Sequence, residues 1–261
     1  MTAPQAPLSS SMNLLELRGV TVSFDGFLAL NDLNLQLAPG ELRAVIGPNG
    51  AGKTTFLDVI TGKVRPTRGD VLFRGRSIVG QSEHRISRLG IGRKFQTPRV
   101  YQNLTPRRNL ELAVRGPHGP LALLFGALSS EQRDRVQHLL QVVGLEAHAN
   151  KPAGGLSHGQ KQWLEIAMLV AQDPQLLLVD EPVAGLTDEE TALTGQLLRD
   201  LSGDHTVLVI EHDMEFIRDL QAPVTVLHEG HVLCEGSMDQ VQNDPRVIEV
   251  YLGSDNQEDV A

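Results

Sequence analysis

A run of glycines set directly behind an apolar strand constrains this chain more than any other feature. Leu42-Arg43-Ala44-Val45-Ile46 reads as a buried strand, and it passes into Gly47-Pro48-Asn49-Gly50-Ala51-Gly52-Lys53-Thr54, then Thr55 and a helix from about Lys53 to Ile60. The pattern is G-x-x-x-x-G-K-[ST], the phosphate-binding P-loop. Its residue types follow from what a phosphate needs. Glycines let successive backbone N–H groups turn inward on the oxygens, and the following helix presents its positive dipole end. Lys53 would reach the β- and γ-phosphates, and the Thr54 hydroxyl would ligate Mg²⁺. Gly47, Pro48, Asn49, Gly50, Ala51, Gly52, Lys53, Thr54 and Thr55 are therefore the expected nucleotide-binding residues.

Strands and helices alternate around this loop. Leu176-Leu177-Leu178-Val179 and Thr206-Val207-Leu208-Val209-Ile210 are continuous apolar runs, as expected of parallel strands covered on both faces. Val71 to Ile78 alternates apolar and polar residues and is expected to be antiparallel with one wet face. Between about Thr97 and Gly154 strand signals vanish. Helical periodicity takes over in Asn109 to Val114 and Glu131 to Val143, separated by Gly116-Pro117-His118-Gly119-Pro120. The expected organisation is a tail over 1–12, one domain over 13–255 with a helical insertion at about 97–156, and a second tail over 256–261.

Composition excludes several classes. There are 23 Lys plus Arg against 32 Asp plus Glu, a net charge of −9, and aromatics are 4% of residues. That acidity argues against a nucleic-acid partner, and so few aromatics argue against base stacking. The single cysteine, Cys234, falls in an expected strand and reads as a small buried residue rather than a nucleophile; with no possible internal disulfide, a reducing compartment is expected. The longest apolar stretch, Leu121 to Leu128, is far short of the roughly 20 residues needed to span a bilayer. Met1 to Ser11 lacks the basic and apolar parts of a signal peptide.

A second chemical element is Asp180-Glu181 at the end of an apolar strand, where a Mg²⁺-directed carboxylate belongs. Asp180 suits that role, and Glu181 could polarise the attacking water. About twenty residues earlier stands Leu156-Ser157-His158-Gly159-Gln160, opening a helix through Trp163, Ile166 and Val170. In this order and spacing the chain resembles the ATP-binding subunits of ABC transporters, whose signature is L-S-G-G-Q. Four of the five residues match, with His158 in place of the first glycine. The resemblance runs from about Leu14 to Gly253 and adds three residues. Gln96 matches the glutamine linking Mg²⁺ and water to the helical insertion, His212 the histidine contacting the γ-phosphate, and Phe24 the aromatic stacking on adenine. Thr187 departs from the family, standing where many relatives carry an acid.

The resemblance implies an α/β P-loop NTPase of ABC ATPase type: a core with a parallel sheet, an antiparallel β subdomain and an inserted α-helical subdomain. It implies ATP and Mg²⁺ as cofactors, with Glu181, His212, Gln96 and Lys53 catalytic and Thr54, Gln96 and Asp180 around the metal. Ser157, Gly159 and Gln160 would face ATP on a second ATPase subunit, identical or paralogous. Separate permease subunits and, indirectly, a periplasmic solute-binding protein complete the expected assembly, with this chain peripheral on the cytoplasmic face of the bacterial inner membrane. The cations Arg93, Lys94, Arg99, Arg107 and Arg108 are expected to be mostly a solvated face, and the resemblance gives their position beside Gln96 a second reading, docking to the membrane subunit through a groove near Gln96 to Arg108. Within the family the chain is similar to importers of branched-chain amino acids and of urea, through Phe95-Gln96-Thr97-Pro98, the long insert with Leu121 to Leu128, Glu181-Pro182-Val183-Ala184-Gly185 and the ending Arg246 to Gly253. Leu156 to Ile166 (LSHGQKQWLEI) looks most like the urea type. Urea is thus the leading expectation, branched-chain amino acids the alternative, and lipopolysaccharide-type export a lesser one. No sustained heptads suggest a DNA-repair member, one P-loop argues against a translation factor, and retention of Glu181 and His212 argues against a non-catalytic sensor.

Overall fold

The computed structural model describes residues 13–94, 100–115 and 128–258, the last seven of these by their backbone only. Its strands form a four-stranded sheet of order β2-β1-β4-β5 and a six-stranded sheet of order β10-β9-β3-β8-β7-β6. The first is antiparallel: β1 (Leu15–Phe24), β2 (Phe27–Leu37), β4 (Arg68–Phe73) and β5 (Arg76–Ser77). Asp25 and Gly26, both at positive φ (49° and 92°), close the β1–β2 hairpin in two residues and pair Phe24 with Phe27. The alternating stretch expected over Val71 to Ile78 is antiparallel, but it breaks at Arg74-Gly75, where positive φ (52° and 70°) turns the chain back into β5.

The second sheet positions the chemistry. Strands β3 (Leu42–Ile46), β6 (Ile91–Lys94), β7 (Leu176–Asp180), β8 (Thr206–Ile210) and β9 (Val224–His228) run parallel, and β10 (His231–Gly236) pairs antiparallel on β9. Every residue of β7 and β8 is buried. Their side chains alternate between two cores: Leu177, Val179, Val207 and Val209 enter one, and Leu176, Leu178, Leu208 and Ile210 the other. On the second side lie α1 (Lys53–Ile60) and the antiparallel sheet, with Phe56 and Leu57 wholly enclosed.

The first core is covered by helices. After α2 (Glu83–Arg88), the chain forms α3 (Pro106–Arg115) and α4 (Ser130–Val142) where helical periodicity is strongest. Then come α5 (His158–Val170), α6 (Asp188–Leu201), α7 (Met214–Leu220), α8 (Met238–Gln242) and α9 (Pro245–Glu258). Leu110, Leu140, Leu164, Ile166, Leu198 and Phe216 join this core from five of them. The apolar stretch from Leu121 lies outside the described residues up to 127. Cys234 is a free thiol on β10, an edge strand of this sheet, and is only half-buried. No helix among the described residues is long and apolar enough to cross a membrane.

Phe56 ties the helix behind the glycine loop to the sheet below it. Phe56→Ala should lower the unfolding free energy by about 3–5 kcal/mol in urea titration, the range for opening a large buried cavity.

Candidate active site

Parallel pairing brings three loops to one edge of the sheet. Val45 and Asp180 both stand in register with Ile210, so the carboxyl ends of β3, β8 and β7 lie side by side. The glycine loop leaves β3, Asp180 ends β7, and Glu211-His212 follow β8. Ligands of open α/β sheets bind at this edge.

Close backbone approach dictates the loop's glycines. A Cβ on Gly47 would lie 2.3 Å from the Leu227 carbonyl oxygen, and one on Gly52 would lie 2.5 Å from that of Ala29. Gly52 also caps α1 at φ 99°, a left-handed conformation that glycine adopts without strain. No acidic side chain occupies the first turn of α1, so no residue of the helix's own first turn offsets the positive end of its dipole. The Lys53 ammonium folds over the loop and donates to the carbonyls of Gly47 (2.6 Å) and Pro48 (2.9 Å). Burial pushes its pKa down, while Glu181 and Asp180 pull it back up. Pro48, Asn49, Gly50 and Ala51 border a cavity of about 1,070 Å³. Phe24 is 47% exposed at the hairpin tip, not a core aromatic; its pairing partner Phe27, not singled out in the sequence, lines that cavity.

The carboxylate end of β7 is built on buried charge. Arg93 of β6 bridges Asp58 of α1 (2.6 Å) and Asp180 (3.2 Å), and Lys63 adds a contact to Asp58 at 3.1 Å. Burial raises the pKa of Asp180, and Arg93 opposes that rise. Lys94 is wholly enclosed, its pKa lowered by burial and supported by Glu165, then Asp180, Glu211 and Glu181. The expectation of a solvated cationic face is therefore wrong for Arg93 and Lys94. On the outer strand of the sheet, paired with β7, they neutralise interior carboxylates, while Arg107 bonds Gln137 and Arg108 pairs with Glu111 on the helices. Gln96 and Arg99 lie outside the described residues.

Glu181 sits at φ 46°, left-handed for a non-glycine residue, which costs on the order of 1–2 kcal/mol. Its N–H donates to the Ile210 carbonyl at 2.9 Å. His212 points outward, with 71% of its side chain exposed. The donors expected for Mg²⁺ that lie among the described residues, the Thr54 hydroxyl and the Asp180 carboxylate, are hard oxygens. That set fits an ion held by one or two protein oxygens plus phosphates, which needs no dense cluster. No group of three or more His, Cys, Asp or Glu suited to a metal occurs among the described residues.

The signature forms a helix cap. Ser157 accepts from the Gln160 N–H (3.1 Å), and Gln160 Oε1 accepts from the Ser157 N–H (3.0 Å), a reciprocal capping box. The Ser157 hydroxyl then donates to Glu190 on α6 at 2.9 Å. A Cβ on Gly159 would come within 2.7 Å of that carboxylate, so a larger residue there would push the Glu190 side chain aside. Gln162 donates to Nε2 of His158 at 2.9 Å. Thr187, the departure from the family, caps α6 by accepting from the Glu190 N–H at 3.2 Å. Among the described residues no hydrogen bond or ion pair joins Ser157, Gly159 or Gln160 to the glycine loop.

Loop, carboxylates and capped signature helix together define a P-loop ATPase. Residues 30–184 match the ABC transporter family model, and 231–256 match that of the branched-chain amino acid ATP-binding cassette transporter. The high-affinity branched-chain amino acid transport ATP-binding protein LivG of Escherichia coli K12 is 38% identical over 93% of this chain and 99% of its own. BraF of Pseudomonas aeruginosa, of the same description, is 37% identical over the same shares. The lipopolysaccharide export ATP-binding protein LptB of Acidithiobacillus ferridurans is 31% identical over 92% and 97%. A crystal structure of an ABC transporter's ATP-binding cassette in its ADP conformation superposes with TM-score 0.81 at 28% identity, covering 93% of this chain and 99% of that one. The chain belongs to the ABC transporter family as an ATP-binding subunit, and its activity is ATP hydrolysis coupled to transport.

Lys53→Ala removes the cation over the loop. ATP affinity should fall about 10- to 100-fold by equilibrium titration, the worth of one charge-assisted hydrogen bond.

Proposed function

We propose that this chain is the ATPase subunit of an importer, with branched-chain amino acids as the solute. The observation that carries the reading is the 36–38% identity, over 93% of the chain, to LivG and BraF, proteins named for branched-chain amino acid transport. Urea, the leading expectation from the sequence, becomes the second reading: the relatives named above favour branched-chain amino acids, and urea rests on the Leu156 to Ile166 stretch alone. Export rests on the weaker likeness to LptB.

In the proposed cycle, two copies or a copy and a paralogue close on ATP. A related cassette solved as a dimer with ADP and Pi (TM-score 0.71, 29% identity, 86% and 98% coverage) supports that arrangement. The glycine loop of one subunit would hold the phosphates while Ser157, Gly159 and Gln160 of the other cap them, with Phe24 against adenine. Glu181 would take the proton of the attacking water, and Lys53 and His212 would stabilise charge on the γ-phosphate. Mg²⁺, when bound by Thr54, Asp180 and Gln96, would neutralise phosphate charge. The chain would sit at the cytoplasmic face of the inner membrane, held by permease subunits that a periplasmic binding protein supplies. A groove of about 970 Å³ between α2 and the α3–α4 pair, lined by Arg88, Leu89, Tyr101, Leu112 and Arg135, would seat a cytoplasmic segment of the permease.

Two measurements test this. Glu181→Gln should retain ATP binding and promote dimerisation while turnover drops by at least about 100-fold, the scale for losing a positioned general base; hydrolysis at the parental rate refutes Glu181 as the base. Uptake of radiolabelled leucine and urea, with and without this chain, decides the solute. Loss of leucine uptake alone supports the proposal, loss of urea uptake alone establishes the second reading, and loss of neither removes the import reading.

A further inference from the structure

Glu211 lies one residue beyond β8 with 1% of its surface exposed. Its two oxygens serve two different loops. Oε1 accepts the N–H of Val183 at 3.0 Å, and Oε2 accepts the N–H of His212 at 3.0 Å. The Asp213 N–H also donates to this carboxylate. Val183 is two residues past Glu181, so a single side chain ties the loop of the expected base to the loop of the expected phosphate contact.

The type of residue matters. A carboxylate offers acceptors only, whereas an amide turns an NH₂ group toward one of the converging N–H groups. Fold stability alone does not single out a carboxylate, since buried charge costs solvation and well-packed neutral groups often replace it without loss. Burial pushes the Glu211 pKa up, and the backbone donors hold it down. Geometry supplies a better reason. Glu181 occupies a left-handed conformation that relaxes unless both flanks are held. Its own N–H is held by the Ile210 carbonyl, and Val183 is held by Glu211, so both anchors come from the end of β8.

We propose that Glu211 is a positioning residue for ATP hydrolysis, fixing the Glu181 loop and the His212 loop at one spacing so that base and imidazole meet the nucleotide together. It acts through those residues and touches no phosphate itself. The inference rests on the roles proposed above for Glu181 and His212.

The test compares the full-length wild type, Glu211→Gln, Glu211→Ala and Glu181→Gln by steady-state ATPase kinetics, binding of a fluorescent ATP analogue and thermal melting. Glu211→Gln should lower kcat about 10- to 100-fold, the penalty for sub-ångström to ångström misplacement, with KM and analogue affinity within about twofold of wild type. Its melting temperature should fall by no more than about 10 °C, the scale of one lost buried hydrogen bond, and Glu211→Ala should lose at least as much kcat. Wild-type kcat in Glu211→Gln overturns the proposal. So does a kcat loss matched by a fall in analogue affinity and a larger fall in melting temperature, which marks a structural role. If Glu181→Gln turns over at the wild-type rate, the underlying role assignment fails; if only Glu211→Gln does, the assignment stands and the positioning role falls.

Discussion

The hydrogen-bonded pairing of β3, β8 and β7 is the constraint on which the rest of the molecule depends. Parallel strands in register end at the same level, so the segments that leave them start within reach of one another. From that row the glycine loop turns under α1, Asp180-Glu181 enter their turn, and Glu211-His212 follow Ile210. The two apolar cores serve this row. Each strand sends alternate side chains into one core or the other, so the row is buried on both faces.

Charge is placed inside the fold with equal care. A carboxylate ending a buried strand is costly to leave alone, and removing one partner from a buried pair is far worse than never having built it. Arg93 meets that cost for Asp58 and Asp180 together, and so ties the helix behind the loop to the carboxylate end of β7 through β6. Lys94, the next residue, faces the other way along the same strand and supports Glu165 of the signature helix before any other carboxylate. Neighbouring residues of one short strand thus brace both sides of the site.

The signature and the turn after β7 form a connected unit within one chain. Ser157 caps α5, its hydroxyl reaches Glu190, and Glu190 completes the cap that Thr187 places on α6. Threonine at 187 therefore has a local reason that its departure from the family obscures: it is a good N-cap, and the acids at 188–190 favour the helix dipole. His158 is accommodated in the same spirit, held by Gln162 one turn along α5.

Much of this was legible without coordinates. The glycine loop, the Asp180-Glu181 pair, the signature and the alternation of apolar runs are local patterns in which spacing alone dictates geometry, and the helices at 106–115 and 130–142 followed from periodicity. Where the sequence misled, the reason is non-local. Arg93 and Lys94 look like a surface pair beside Arg99 because charge is usually solvated; only the strand order, with β6 against β7 and near α1, turns them inward. Glu211 reads as a strand-end carboxylate beside a more conspicuous histidine, and nothing in the chain foretells that Val183, 28 residues earlier, donates to it. Sequence determined the elements and the chemistry of the phosphate loop, because backbone conformation and dipole are set by neighbours. Tertiary structure decided which charges are buried and which loops share a side chain, because those depend on strands paired far apart along the chain.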